Sequence, residues 1–93
     1  MNAKFAFAKF LAFPHWPSEI TGHEESGVNV SFSDGLTSGP GGAVALSMLL
    51  PFTEESANKI IKTTQFTSGK HSLFEFKKAC LALGLKLNQY SCV

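Results

Sequence analysis

The chain has no arginine: all eight of its basic residues are lysine. Without a guanidinium fork there is no bidentate reading of guanine or phosphate, and no strongly electrostatic grip on nucleic acid. Lysine-only contact with DNA phosphates is what remains. Charge of either sign is scarce, eight basic against seven acidic residues, for a formal net charge of +1. There are only two cysteines, Cys80 and Cys92, too few for a disulfide framework or a zinc site. Cys80 sits among Ala79, Leu81 and Ala82 and reads as a small buried hydrophobe, which fits a reducing compartment. No apolar run reaches membrane-spanning length, and residues 1–11 lack the apolar run of a signal peptide. The chain reads as soluble and intracellular.

Catalytic and metal constellations are missing too. His23-Glu24-Glu25 lacks the second histidine of a zinc helix and falls in a turn. Gly39-Pro40-Gly41-Gly42 has no Gly-Lys-Ser/Thr after it, so it is a loop and not a phosphate cradle. Nothing local brings Ser, His and Asp together as a hydrolase triad. The expectation is a protein that is not an enzyme and holds no cofactor or metal.

What is present is aromatic and apolar. The 93 residues suit one domain, 44% of them are hydrophobic, and nine are Phe beside one Trp and one Tyr. Residues 4–11 alternate with period two, which predicts a strand with Phe5, Phe7 and Lys9 on one face and Ala6, Ala8 and Phe10 on the other. A second strand is expected over 16–21, a polar turn over 22–27 with glycine at each end, and a third strand over 28–32. In that third strand Val28, Val30 and Phe32 are buried, while Asn29 and Ser31 point the other way. Asp34-Gly35 signals a turn, residues 37–42 form a glycine–proline loop, and the apolar run 43–50 predicts a fourth strand, or a strand with a short tail, closed by Pro51. Thr53 caps a helix running to about Lys62, with Ala57, Ile60 and Ile61 inward. Ser72 caps a second helix over 73–83, with Leu73, Phe76, Cys80 and Leu83 as its apolar stripe and Gly84 at its end. Strands first and helices last imply an α+β fold that is mainly β: a small, strongly bent antiparallel sheet under a helical cap. The domain spans 4–83, and 84–93 is a tail of uncertain order.

The densest signal is Phe13-Pro14-His15-Trp16-Pro17. Each proline fixes its own φ and pushes the preceding residue toward extended backbone, so the segment is a rigid arch holding two aromatic rings. Such an arch pins a core corner or builds a surface for a flat or cationic ligand. His15 within it reads as a spacer on the outer side.

With Phe7-Ala8-Lys9 before the arch and Ile20 after it, the chain resembles the PWWP domain family. The likeness resumes over 28–34, at Leu50-Pro51-Phe52, and in the closing helix with Leu73, Phe74 and Phe76. The N-terminal motif is specific; the second half is similar in order and character more than in letters. The resemblance implies a bent five-stranded antiparallel β-barrel followed by a C-terminal helical bundle. It also implies a nuclear reader of methylated lysine on the histone three tail, most often at position thirty-six, with auxiliary contact to nucleosomal DNA and further partners in a parent protein or complex.

A trimethylated lysine keeps its charge but has no N–H donor, so aromatic faces hold it rather than hydrogen bonds. By the resemblance, Phe13 and Trp16 are two walls of the cage, Ser31 stands where many relatives place a third ring, Phe10 lies beside the pocket, and Asp34 adds a carboxylate near the ammonium. Replacing Trp16 by Ala should then abolish methyl-lysine discrimination without unfolding the chain. Lys4, Lys9, Lys70 and Lys77 are the DNA-contact candidates; Leu11 replaces a second family lysine, and shallow salt dependence follows from so few charges. The rival reading is a degenerate PWWP fold used as a protein-interaction module, its pocket lost through Ser31.

Overall fold

A computed structural model of the chain describes residues 4–10, 13–32, 36–38 and 42–87. The fold is α+β. Strands β1 (Phe5–Ala8), β2 (Trp16–Glu24), β3 (Gly27–Phe32) and β4 (Leu49–Pro51) form one antiparallel sheet in the order β3-β2-β1-β4. Helices α1 (Glu54–Thr63) and α2 (Leu73–Ala82) follow.

The β2–β3 hairpin is longer than the sequence suggests. The stretch expected as a polar turn from Gly22 onward is strand as far as Glu24, and only Glu25 and Ser26 remain as the turn. A register irregularity between Ile20 and Gly22 lets the ladder resume with Gly22 opposite Asn29. The Asn29 side-chain amide then donates to Glu24 at 2.7 Å, closing the hairpin end.

The sheet departs from the expected five-stranded closed barrel. Among the described residues it has four strands and is open. The run 43–50, expected as one strand, makes a single bridge from Val44 to Val28, then a 3-10 turn at Leu46–Met48, before β4 begins. That run is apolar without strict alternation, so nothing in it fixes two faces, and Leu46 and Met48 end up exposed. Pro51, expected to close the strand, is the last residue of β4 and lies opposite Ala6. Because β4 is an edge strand, its missing N–H costs no ladder bond.

Both helices begin where a hydroxyl can cap them. Thr53 Oγ1 accepts from the Ser56 N–H at 3.2 Å, and Ser72 Oγ accepts from the Glu75 N–H at 3.2 Å. Helix α2 ends in a Schellman motif: Gly84, at φ +94°, donates to Leu81 O, and Leu85 N–H reaches back to Cys80 O at 2.9 Å. This turn sends Leu85 and Leu87 back against the core, although they follow the predicted domain end. Residues 88–93, the rest of the expected tail, lie outside the described residues.

The core is a run of aromatic contacts. Phe7 stacks on Phe76 at 5.7 Å and tilts against Phe52 at 5.1 Å, while Phe76 meets Phe66 at 5.4 Å and the edge of Trp16 at 5.5 Å. Phe7, Phe76 and Cys80 are wholly buried. Burial pushes the Cys80 thiol up to about 12, so it stays protonated and serves as packing.

Candidate functional site

The arch leads into β2, where Trp16 pairs with Ala8 of β1. Pro17 and Ser18 are buried directly after it, and the Ser18 hydroxyl donates to Ala6 O at 2.9 Å. These contacts fix the base of the arch to the sheet. At its other end the Phe13 N–H donates to Phe10 O at 3.2 Å, and Lys9 Nζ donates to Phe13 O at 3.0 Å.

Phe13 and Trp16 come together around a third ring, that of His71. The Phe13 ring stacks on the imidazole at 4.6 Å with 26° between planes. Trp16 meets the same imidazole edge-on at 4.8 Å and 80°. The Phe13 and Trp16 rings are therefore steeply inclined, two sides of a corner with His71 seated in it. Trp16 is only 6% exposed, so it is a core residue of which a small part reaches the site. Phe13 is half-buried.

A small cleft is lined by Phe13, Trp16, His71, Phe32 and Leu36, with a free volume of about 10 Å³, the room of one water. Leu36 is held there by the ladder beside β3. Phe32 N–H donates to Leu36 O at 2.8 Å, Ser38 N–H to Val30 O at 2.9 Å, and Val30 N–H to the Ser38 hydroxyl at 2.8 Å.

The other expected residues lie as follows. Phe10 packs beside the cleft, stacked on Phe32 at 6.0 Å, and does not line it. Ser31 is opposite Glu19 and bridges to Thr37; it does not line the cleft either, and the third strand reaches it through Phe32. Asp34 lies outside the described residues. Of the lysines, Lys9 is tied to the arch and Lys70 adjoins His71. Lys4 sits over the Phe5 ring at 5.6 Å, at the Ile20 end of β1, about 13 Å of strand away from the Trp16 end. Lys77 is on α2, half-buried. Among the described residues no cluster of His, Cys, Asp and Glu could hold a metal, and no helix is long and apolar enough to cross a membrane.

Sequence reasoning missed His71 and Leu36 as lining residues; Phe32, expected in the core, is buried there and also lines the cleft. For His71 a local signal exists. Ser72 is the N-cap of α2, so residue 71 precedes the cap and residue 76 is the fourth of the helix, the two positions that pack together in a hydrophobic staple. Here Trp16 contacts both His71 and Phe76.

His15 is half-buried, and its pKa is lowered, first by burial and then by the charge of Lys9. The fold thus favours the neutral ring. Between the ordinary histidine value of about 6.5 and the lowered one, the unfolded chain binds more protons, so stability is lost as pH falls through that window. The expected result is a urea midpoint that declines as pH falls below the ordinary histidine value of about 6.5, and a shallower decline in His15→Asn.

No protein-family model, no curated protein and no solved structure matches this chain. What the site does must be argued from its own rings.

Proposed function

We propose that this protein is a PWWP-like chromatin reader whose aromatic corner binds methylated lysine of the histone three tail, with nuclear localisation and weak auxiliary contact to nucleosomal DNA. The observation that carries the reading is the Phe13–Trp16 corner: two steeply inclined rings at the end of a proline-fixed arch, over an apolar base of Phe32 and Leu36. A quaternary ammonium is attracted by ring faces and gains nothing from hydrogen-bond donors, and the cleft is lined by carbon and rings. Lys9 and Lys70 beside it are the lysines best placed to meet a phosphate backbone.

Titration with trimethylated and unmodified histone-three peptides tests this, read by amide shifts. The trimethylated peptide alone is expected to move Phe13 and its neighbours. Phe13→Ala should remove the difference between the peptides while the fold persists, because that ring is half-buried and outside the main core. Equal shifts from both peptides would sink the reading.

One observation favours a second reading, an interaction module. Phe74 and Leu81, seven positions apart and so on one face of α2, are 71% and 59% exposed. In that case the methyl mark would make no difference, and substitutions at Phe74 and Leu81 would weaken partner binding while Phe13→Ala would not.

A further inference from the structure

The cage as read from sequence has two rings and an open third side, because Ser31 carries no π-face. The structure brings a third ring to the corner from the turn Gly69–His71 that precedes α2. His71 lies in contact with both walls, face-on to Phe13 and edge-on to Trp16.

His71, like Trp16, borders two hollows. On one side is the tight cleft of about 10 Å³ shared with Phe13, Trp16, Phe32 and Leu36. On the other is an open groove of about 320 Å³, lined by Trp16, His71, Lys70, Glu75, Lys78, Ala79 and Ala82. A trimethylammonium group is far larger than the one water the cleft can hold, so it enters only if a lining side chain yields. Phe32 is fixed by β3 and Trp16 by the core, each under 10% exposed. His71 is half-buried, and it borders the larger groove as well as the cleft.

We propose that His71 is the third aromatic wall of the cage and sets its aperture: the imidazole shifts toward the α2 groove to admit a quaternary ammonium group, then closes on it as a π-face. This rests on the methyl-lysine reading of the corner. The ring does the work that the third strand leaves undone at Ser31, and it does so from the helical half of the fold. Glu75, in the same groove, offers an acceptor to a ring N–H in the shifted position.

The test uses the full chain, with tetramethylammonium chloride and the trimethylated peptide as separate probes and the His71 ring protons as the NMR reporter. Three variants are compared with wild type: His71→Phe, His71→Leu and His71→Ala. The leucine variant keeps bulk against Phe13 and Trp16 but removes the π-face, so it separates lost packing from lost cation–π attraction. His71→Phe is expected to bind both probes at least as tightly as wild type. His71→Leu should bind about two- to five-fold more weakly, the ~0.5–1 kcal/mol of one exposed cation–π contact at 1.4 kcal/mol per decade. The His71 ring signals should shift with either probe. If His71→Leu binds like wild type, or His71→Ala binds more tightly, the ring is a plug or a bystander and the inference falls while the cage reading stands. If tetramethylammonium binds with the expected order of variants but the peptide's methyl mark makes no difference, the histone reading falls and the third wall stands. If wild type takes up neither probe, both are overturned.

Discussion

Replacing Trp16 by alanine is expected to unfold much of this domain rather than merely to empty its cage. The indole is 6% exposed, it meets Phe76 edge-on at 5.5 Å, and its strand position is tied to Ala8 of β1. Truncating a buried Trp costs about 3–5 kcal/mol, from lost transfer free energy and the cavity left behind. A domain of this length has a total stability of about 5–14 kcal/mol, so from about a fifth to all of it disappears in one step. Chemical denaturation followed by near-ultraviolet circular dichroism should show a large drop in midpoint. The sequence alone made Trp16→Ala a clean binding knock-out; burial reverses that expectation. Trp16→Phe keeps a ring at the corner and most of the packing, so it is the variant for binding studies. If Trp16→Ala keeps wild-type stability, the core assignment of this residue is wrong.

Gly27→Ala is the second large effect. Gly27 opens β3 at φ +155°, in a region that side-chain-bearing residues rarely adopt. A Cβ there would lie 2.0 Å from Val44 O and 2.7 Å from Val44 C, which are backbone atoms with no rotamer to yield. The strain of such a backbone is about 1–3 kcal/mol. Pushing Val44 away also breaks the pair in which Val28 N–H donates to Val44 O at 3.0 Å and Val44 N–H donates to Val28 O at 2.7 Å. Those two bonds are worth about 1–3 kcal/mol together. The expected loss is therefore roughly 2–6 kcal/mol, with faster amide exchange at Val28 and Val44. Gly84→Ala is the internal control. It too has a positive φ, +94°, but nothing stands within 4 Å of the added Cβ. It should lose only the left-handed cost of about 1 kcal/mol. Equal losses in the two variants would mean that Val44 moves aside freely.

Much of the local structure was legible in the residues. Period-two alternation placed β1 and β3, and Thr53 and Ser72 marked both helix starts, because a hydroxyl one residue before an apolar-periodic run answers the orphan amide groups of the first turn. Cys80 was readable as core from its apolar neighbours. The end of β2 was hidden, since Gly22 and Glu24 look like turn chemistry until Asn29, across the hairpin, supplies a partner for Glu24. The run 43–50 is strand only at its end, because apolar character without alternation does not say which side faces a sheet.

For the site, the sequence by itself determined the arch: two prolines hold Phe13 and Trp16 in place whatever surrounds them, since their effect on φ is covalent and local. It also determined that no guanidinium takes part. Only the tertiary structure decided what faces those rings. Ser31 and Phe32 are adjacent residues, and which of them reaches the cleft depends on the pleat of β3 and its bridge to residues 36–38. His71 is 55 residues beyond Trp16 and meets it only because α2 docks on the sheet through Phe76. Contacts between distant segments follow from packing in three dimensions, which a one-dimensional pattern does not encode, so the third ring became visible only once the fold was in hand.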